Sequence, residues 1–151
     1  MRLLAAAAFA ISALALPSAS VAQQGPGWTY AYVDGVATAT QRDDRGRTTA
    51  TLTCRPPEGD IVVTDYGFGR NARRATTAAV AIGNLTINVP ATTAGRGRNA
   101  TVSVNLPQRP PILAGVQESD RLSVTVNGQT NTYLAGSAVK MREVAYACWG
   151  S

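Results

Sequence analysis

Residues 122–134 read LSVTVNGQTNTYL, and this stretch decides the fold class of the chain. Apolar and polar residues alternate in LSVTV, as they do in a strand with one buried face. The Asn127-Gly128 pair that follows accepts the positive φ angles of a two-residue hairpin turn. The stretch therefore predicts an antiparallel hairpin in which residues 129–134 return beside residues 122–126.

The same two patterns, alternation and a turn dipeptide, recur through the chain before this hairpin. Further strands are predicted at residues 28–33, 36–40, 49–54, 60–66, 75–82, 85–89 and 100–106. Turns are predicted at Asp34-Gly35, at residues 56–59 and at Gly83-Asn84. Residues 90–98 are expected to form a loop and residues 112–117 a short helix.

The last part of the chain has a helical period. Apolar residues recur at spacings of three and four, which places them on one face of a helix: Ala138, Met141, Val144, Ala145 and Cys148. Ser137 is the expected N-cap of this helix. The predicted fold is mainly β, an antiparallel sheet or β-sandwich with a C-terminal α-helix packed on it.

Residues 1–22 have the layout of a secretory signal peptide. Arg2 precedes the apolar run 3–16, and Ser20-Val21-Ala22 offers small residues for cleavage before Gln23. The run is too short to span the ~30 Å of a bilayer core as a helix. We therefore expect a bacterial, periplasmic or secreted protein, with one domain at residues 23–151 and no membrane span after cleavage.

Cysteine occurs twice in the chain, at Cys54 and Cys148. Cys54 ends a predicted strand on the face shared by Ala50 and Leu52, and Cys148 lies on the apolar face of the predicted helix. In an exported protein, a disulfide between them would pin the terminal helix to the sheet. The alternative is a pair of buried free thiols.

The residue types exclude several kinds of catalytic site. Histidine is absent, which excludes a Ser-His-Asp triad, a Cys-His dyad and zinc sites that need histidine. Asp43 and Asp44 lack a third ligand spaced as in a calcium loop. Two carboxylates can hydrolyse a glycoside, but no spacing selects a pair. We expect no enzyme, no cofactor and no metal, with a carboxylate-based hydrolase as the enzymatic alternative.

Arginine supplies nearly all of the basic charge, since Lys140 is the one lysine and the net charge is +5. Three stretches concentrate it: the first arginine loop (residues 42–47, RDDRGR), the second (66–74, YGFGRNARR) and the third (95–98, GRGR). In the second loop, aromatic rings could stack on a ligand while guanidinium groups hold an anion. The candidate ligand contacts are Tyr66, Phe68, Arg70, Arg73 and Arg74. The alternative is an ordinary solvated loop.

Both ends of the chain resemble a group of small exported proteobacterial proteins. The resemblance rests on the run 50–54 followed by 60–63, on Tyr133 to Gly136 followed by Cys148-Trp149, and on the N-terminal strand containing Trp28. These elements are similar to periplasmic accessory proteins associated with type VI secretion and to allied uncharacterised secreted proteins. The resemblance implies a non-enzymatic envelope protein with a Cys54–Cys148 bridge.

These observations together predict an exported, non-enzymatic binding or envelope-associated module, an accessory to a secretion or cell-envelope system. Its expected partner is an envelope component or another protein, and an anionic glycan is a further candidate. Export disfavours a nucleic-acid ligand. The alternative function is that of a small extracellular inhibitor or effector protein.

Overall fold

The computed structural model describes residues 27–57, 59–109, 111–113 and 115–149 of the 151-residue chain. The predicted signal peptide and its cleavage site lie outside the described residues. Within the described ranges, no helix combines the length and the apolar character that crossing a membrane requires.

Nine strands form one curled antiparallel sheet in the order β1-β2-β3-β4-β7-β6-β5-β8-β9. Their bounds are β1 Gly27–Val33, β2 Val36–Arg42, β3 Thr48–Cys54, β4 Ile61–Asp65, β5 Thr77–Ile82, β6 Leu85–Ala94, β7 Thr101–Leu106, β8 Leu122–Val126 and β9 Gln129–Thr132. One α-helix among the described residues, α1 (Ser137–Trp149), follows them. The predicted mainly β fold with a C-terminal helix is therefore confirmed.

The hairpins form where the turn dipeptides predicted them. Asp34 and Gly35 have φ angles of 51° and 73° and join β1 to β2. Asn127 and Gly128 have φ angles of 50° and 81° and join β8 to β9. Left-handed backbone costs little for Asn, Asp and Gly, which explains why these dipeptides mark the turns.

Strand β6 is longer than expected, because the predicted loop at residues 90–98 is wrong for its first half. Pro90 is the last residue of β6 that pairs with β5, and Ala91 is the first that pairs with β7. Proline is tolerated where a strand changes partner, although it interrupts a regular ladder. The predicted helix at 112–117 is also wrong, since a 3₁₀ turn at Pro111–Leu113 takes its place.

The core lies on the inner face of the curled sheet and under α1. Strands β2, β3 and β4 alternate buried and half-buried residues, and so does β8. The buried face of α1 is the predicted one, with Ala138, Met141, Val144, Ala145 and Cys148 all in the core.

Ser137 has another role than the predicted N-cap. Its hydroxyl accepts a hydrogen bond from the backbone N–H of Leu122 at 2.8 Å. The first helical backbone bond runs from Lys140 N–H to the carbonyl of Gly136. The side chain is fully buried, so it ties the start of the helix to β8 instead of closing the first helical turn.

The predicted disulfide between Cys54 and Cys148 is present, with 6.0 Å between the two Cα atoms. It joins the end of β3 to the last turn of α1, which excludes the alternative of two free thiols. Beside it, Trp149 Nε1 donates a 2.8 Å hydrogen bond to the carbonyl of Gly59. A Cβ at Gly59 would collide with the backbone of Arg55, so only glycine fits here.

Candidate functional site

The three arginine loops emerge from the same end of the sheet. One row of cross-strand neighbours crosses five strands near that end: Gln41, Ala50, Asp65, Val102 and Thr93. The first arginine loop joins β2 to β3, the second follows β4, and the third joins β6 to β7. Because neighbouring strands are antiparallel, all three leave the sheet just beyond this row.

The second and third loops enclose an open cleft of about 390 Å³, here called the arginine cleft. Three guanidinium-bearing residues line it, and none of the described residues that line it is acidic. Its lining consists of Arg70, Ala72, Arg73, Thr93, Gly95, Arg96, Gly97 and Ala100. The arrangement concentrates positive charge around a concave surface, which suits an anion.

A second open cleft of about 540 Å³, here called the tyrosine cleft, lies between the first loop, the start of the second loop and the end of the third. Its lining is mostly hydroxyl, amide and aromatic: Asp43, Arg47, Thr48, Thr49, Tyr66, Gly67, Arg98, Asn99 and Thr101. Arg47 is paired there with Asp43 at 2.6 Å. The pKa of the Asp43 carboxyl is lowered, mainly by the hydrogen bonds that the side chain and backbone of Arg47 donate to it. Arg98 therefore supplies the uncompensated positive charge of this cleft.

Side chains from the β8–β9 turn and from β9 hold the second arginine loop in place. Asn127 Nδ2 donates to the carbonyls of Asn71 at 2.9 Å and Arg73 at 3.2 Å. Asn71 in turn donates its amide to Gln129 Oε1. A 3₁₀ turn at Gly69–Ala72 buries Ala72. The backbone that carries the arginines is thus fixed before any ligand arrives, which lowers the entropic cost of binding.

The predicted site residues are only partly brought together. Arg70 and Arg73 line the arginine cleft, whereas Tyr66 lies in the tyrosine cleft and is 42 % exposed. Arg74 is exposed but lines neither cleft.

Phe68 cannot serve as the expected stacking face. Its side chain is only 2 % exposed and belongs to the hydrophobic core. Burying an aromatic ring contributes more to folding than leaving it in a solvated loop, so the loop turns Phe68 inward and leaves Tyr66 outside.

Arg96 and Arg98 are the site residues that the prediction missed. The sequence marks them as part of a third basic loop, but nothing local places that loop beside the second one. Gly69 lies against the backbone of Arg98, where an added Cβ would be 3.5 Å from the Arg98 carbonyl oxygen. Only the pairing of β7 with both β4 and β6 brings the loops into contact.

A buried polar cluster lies directly beneath the second loop. Asp65 is 2 % exposed, and its carboxylate accepts three hydrogen bonds. The donors are the backbone N–H of Gly67 at 2.6 Å, Asn131 Nδ2 at 3.0 Å and the Tyr133 hydroxyl at 2.6 Å. Asn131 also accepts from Gln129 Nε2 at 3.1 Å. The cluster therefore connects β4, β9 and the loop that carries Arg70 and Arg73.

Burial, followed by the neighbouring Asp65 carboxylate, raises the pKa of Tyr133 well above the usual tyrosine range. Because the folded-state pKa lies above the unfolded one, the Tyr133 proton stabilises the fold at every pH below about 10. That contribution is lost as the pH rises through the folded-state pKa. An unfolded chain ionises the phenol more readily, so alkali favours unfolding.

Tyr133→Phe is expected to lower the free energy of unfolding by about 1.5–3 kcal/mol at neutral pH, because Asp65 loses a charged hydrogen bond. Above pH about 10 the difference from the wild type should shrink, since only the wild type loses the Tyr133 contribution. Urea unfolding of both proteins across a pH series measures this. Tyr146→Phe, at an exposed tyrosine, is the control and should follow the wild type. A constant difference at all pH values would contradict the role given to Tyr133.

No family model, no curated protein and no solved structure matches this chain. In the part of the chain that the structure describes, no three Cys, Asp or Glu side chains are grouped as metal ligands. The interpretation of the site therefore depends on its geometry and charge.

Proposed function

We propose that this chain is an exported, non-enzymatic binding module that holds an anionic ligand in the arginine cleft. One observation carries the proposal: Arg70, Arg73 and Arg96 surround one concavity, and no acidic side chain lies among its described lining residues. The ion pairs of the described residues lie elsewhere, at Arg47–Asp43 and Lys140–Glu143. The three guanidinium groups are thus free to receive an anion.

The charge arrangement supports binding of moderate strength. Three like charges repel one another, and an anion between them relieves that repulsion. Guanidinium groups offer planar forks that match carboxylate, sulfate and phosphate oxygens. At exposed positions each such contact contributes up to about 1 kcal/mol and weakens with salt. Three contacts therefore give an affinity that depends clearly on ionic strength.

The proposed compartment is the periplasm or the cell exterior. A disulfide that joins β3 to α1 is consistent with an oxidising environment. The ligand would then be an acidic component of the cell envelope. An accessory role in a secretion or envelope system follows from the resemblance at the chain ends and belongs to the same proposal.

The test is a titration of the mature chain, residues 23–151, with polygalacturonate and with neutral dextran. The binding-site variant is Arg70→Gln/Arg73→Gln/Arg96→Gln. Its matched control, Arg55→Gln/Arg109→Gln/Arg121→Gln, removes the same charge from exposed positions outside both clefts. Arg74→Gln is a second control within the second loop. Ionic strengths of about 0.01 and 0.15 M cover the range over which screening changes most.

The expected result is polygalacturonate binding that weakens with salt, and no dextran binding. The site variant should lose at least about tenfold in affinity, equivalent to about 1.4 kcal/mol. Both controls should remain close to the wild type. All variants should keep the wild-type unfolding midpoint, because exposed charges contribute little to folding. An equal loss in the two triple variants would mean that only the net charge matters and would overturn the proposed site.

A further inference from the structure

The arginine cleft and the tyrosine cleft lie on two sides of one short turn. Arg96 and Gly97 line the first cleft, and Arg98 and Asn99 line the second. A 3₁₀ turn at Gly97–Asn99 separates them. Arg96 and Arg98 are two residues apart, so their Cα atoms are no more than about 7 Å from each other. The two clefts are therefore adjacent, and one extended ligand can occupy both.

Glycines lie on both sides of this turn. Gly67 lines the tyrosine cleft, and Gly69 packs against the backbone of Arg98. Gly69 has a φ of +51° and Gly97 a φ of +62°, a region that favours glycine. The surface at Gly69 and Gly97 therefore presents backbone, which allows an extended chain to lie close to it, while Arg98 and Asn99 offer side chains to the tyrosine cleft.

The chemistry of the two clefts is different and complementary. The arginine cleft offers positive charge. The tyrosine cleft adds an exposed aromatic ring at Tyr66, hydroxyl and amide groups at Thr48, Thr101 and Asn99, and the cation of Arg98. A sugar ring can stack on the tyrosine while its hydroxyls bond to the threonine and asparagine groups, and an acidic substituent can meet the arginine.

Resting on the proposed function, we infer that the ligand is an acidic polysaccharide that runs through both clefts. One uronate or sulfate group lies among Arg70, Arg73 and Arg96. The next part of the chain crosses the Gly97–Asn99 turn. A sugar ring then packs on Tyr66, with a second anionic group at Arg98. A small anion would occupy the first cleft and leave the chemistry of the second one unused.

The shape and the compartment favour a polysaccharide over other polyanions. Concave clefts admit a flexible chain, whereas a flat bilayer surface cannot reach their walls. The disulfide is consistent with an oxidising environment outside the cytoplasm, where cell-surface glycans are abundant and nucleic acid is not. Single-stranded nucleic acid and anionic lipid are therefore separate outcomes of the test below.

The experiment compares oligomers of galacturonic acid of increasing length: the monosaccharide, the trisaccharide and the dodecasaccharide. Each is titrated into the mature wild-type chain and into Tyr66→Leu, Arg98→Gln and Arg70→Gln/Arg73→Gln. Tyr146→Leu and Arg45→Gln serve as matched controls, because both residues are exposed and neither lines a cleft. Single-stranded DNA and phosphatidylglycerol vesicles are titrated at the same total charge.

We expect the dodecasaccharide to bind the wild type at least tenfold more tightly than the trisaccharide. Tyr66→Leu and Arg98→Gln should each remove most of that gain while leaving the affinity for the trisaccharide unchanged. Arg70→Gln/Arg73→Gln should weaken both oligomers. The two controls should behave as the wild type.

If Tyr66→Leu and Arg98→Gln lose the same affinity for short and long oligomers, or lose none, the inference of a ligand that runs through both clefts is overturned. The arginine cleft would then remain as an anion site only. Tighter binding to DNA or to vesicles than to the dodecasaccharide would also overturn it. Failure of every oligomer and of polygalacturonate to bind would overturn the proposed function as well, so the two failures can be told apart.

Discussion

Cys148→Ser is expected to lower the free energy of unfolding by about 2–5 kcal/mol and to release the last turns of α1. The bridge closes a loop with a sequence separation of 94 residues. The chain-entropy model gives about 4–5 kcal/mol for a loop of this length, a value that real disulfides often fall short of. The variant also leaves two buried positions without their shared bond.

The other contacts of α1 determine which part of the helix is freed. At its start, Ser137 bonds to Leu122, and Arg142 Nη1 donates to the carbonyl of Val116 at 3.0 Å. At its end, the disulfide and the hydrogen bond from Trp149 to Gly59 are the described attachments besides core packing. The C-terminal half should therefore fray first.

Urea unfolding and limited chymotrypsin digestion of residues 23–151 measure both effects. Chymotrypsin should cut Cys148→Ser after Tyr146, in the freed half of the helix, where the intact wild-type helix resists cleavage. The double variant Cys54→Ser/Cys148→Ser should behave alike, which excludes mispairing of a free Cys54. Tyr146→Phe, exposed on the same helix, is the control. An unchanged midpoint and an unchanged digestion pattern would show that the bridge does not anchor the helix.

Local sequence patterns were sufficient to predict the hairpins, the buried face of α1 and the disulfide. Asn127-Gly128 and Asp34-Gly35 adopt left-handed backbone at little cost, so the hairpins could be predicted. The spacing from Ala138 to Cys148 marks one helix face, and that face is buried. The disulfide followed from two cysteines on predicted inward faces in a chain whose first 22 residues predict export. In each case the determining residues are close in sequence or few in number.

The predictions that were wrong concern residues whose structure depends on distant parts of the chain. Pro90 is a strand breaker by local rules, yet β6 continues through it because its two halves pair with different strands. Phe68 lies in a glycine-rich basic stretch typical of solvated loops, but the core takes up its ring. The local preferences of proline and of a glycine-rich basic stretch are real. Whether Pro90 ends a strand and whether Phe68 is buried depend on residues that are distant in sequence.

The candidate site was predictable only in pieces. Each arginine loop is visible in the sequence, but their convergence depends on β7 lying between β4 and β6. Arg73 and Arg96 therefore line one cleft because of the strand order. Neither the turn dipeptides nor the hydrophobic periodicity of the sequence predicts that order. The bond between Asp65 and Tyr133 joins residues 68 apart in sequence, so it too was beyond local patterns.

Asp65 is the residue whose loss should destabilise the two halves of the sheet together. Its carboxylate lies at the end of β4 and accepts from Asn131 in β9 and from Tyr133 just after it. These strands lie in opposite halves of the strand order. Asp65 also accepts from Gly67 N–H, at the start of the loop that carries Arg70 and Arg73.

Asp65→Ala is expected to lower the free energy of unfolding by about 3–5 kcal/mol. The Tyr133 hydroxyl would remain without an acceptor in a buried site, and an unsatisfied buried group costs about 1–3 kcal/mol. The Gly67 N–H and Asn131 Nδ2 would also lose their acceptor, at a smaller cost because both bonds are only partly buried. Asp65→Asn should cost less, because one side-chain oxygen still accepts. Trp28 packs edge-on against Tyr133 with 6.1 Å between ring centroids, so its fluorescence should change as the Tyr133 ring loosens.

The same substitution should weaken ligand binding without touching the ligand. Asp65 lines neither cleft, but without it Gly67 and Asn131 no longer fix the base of the second arginine loop, and ordering that loop then costs binding free energy. Urea unfolding, Trp28 fluorescence and polygalacturonate titration of Asp65→Asn measure the three effects, which keeps the test valid if Asp65→Ala does not fold. Asp44→Ala, at an exposed carboxylate, is the control and should leave stability unchanged. Wild-type stability in Asp65→Asn together with wild-type affinity would show that the buried cluster neither couples the two halves of the sheet nor positions the arginines.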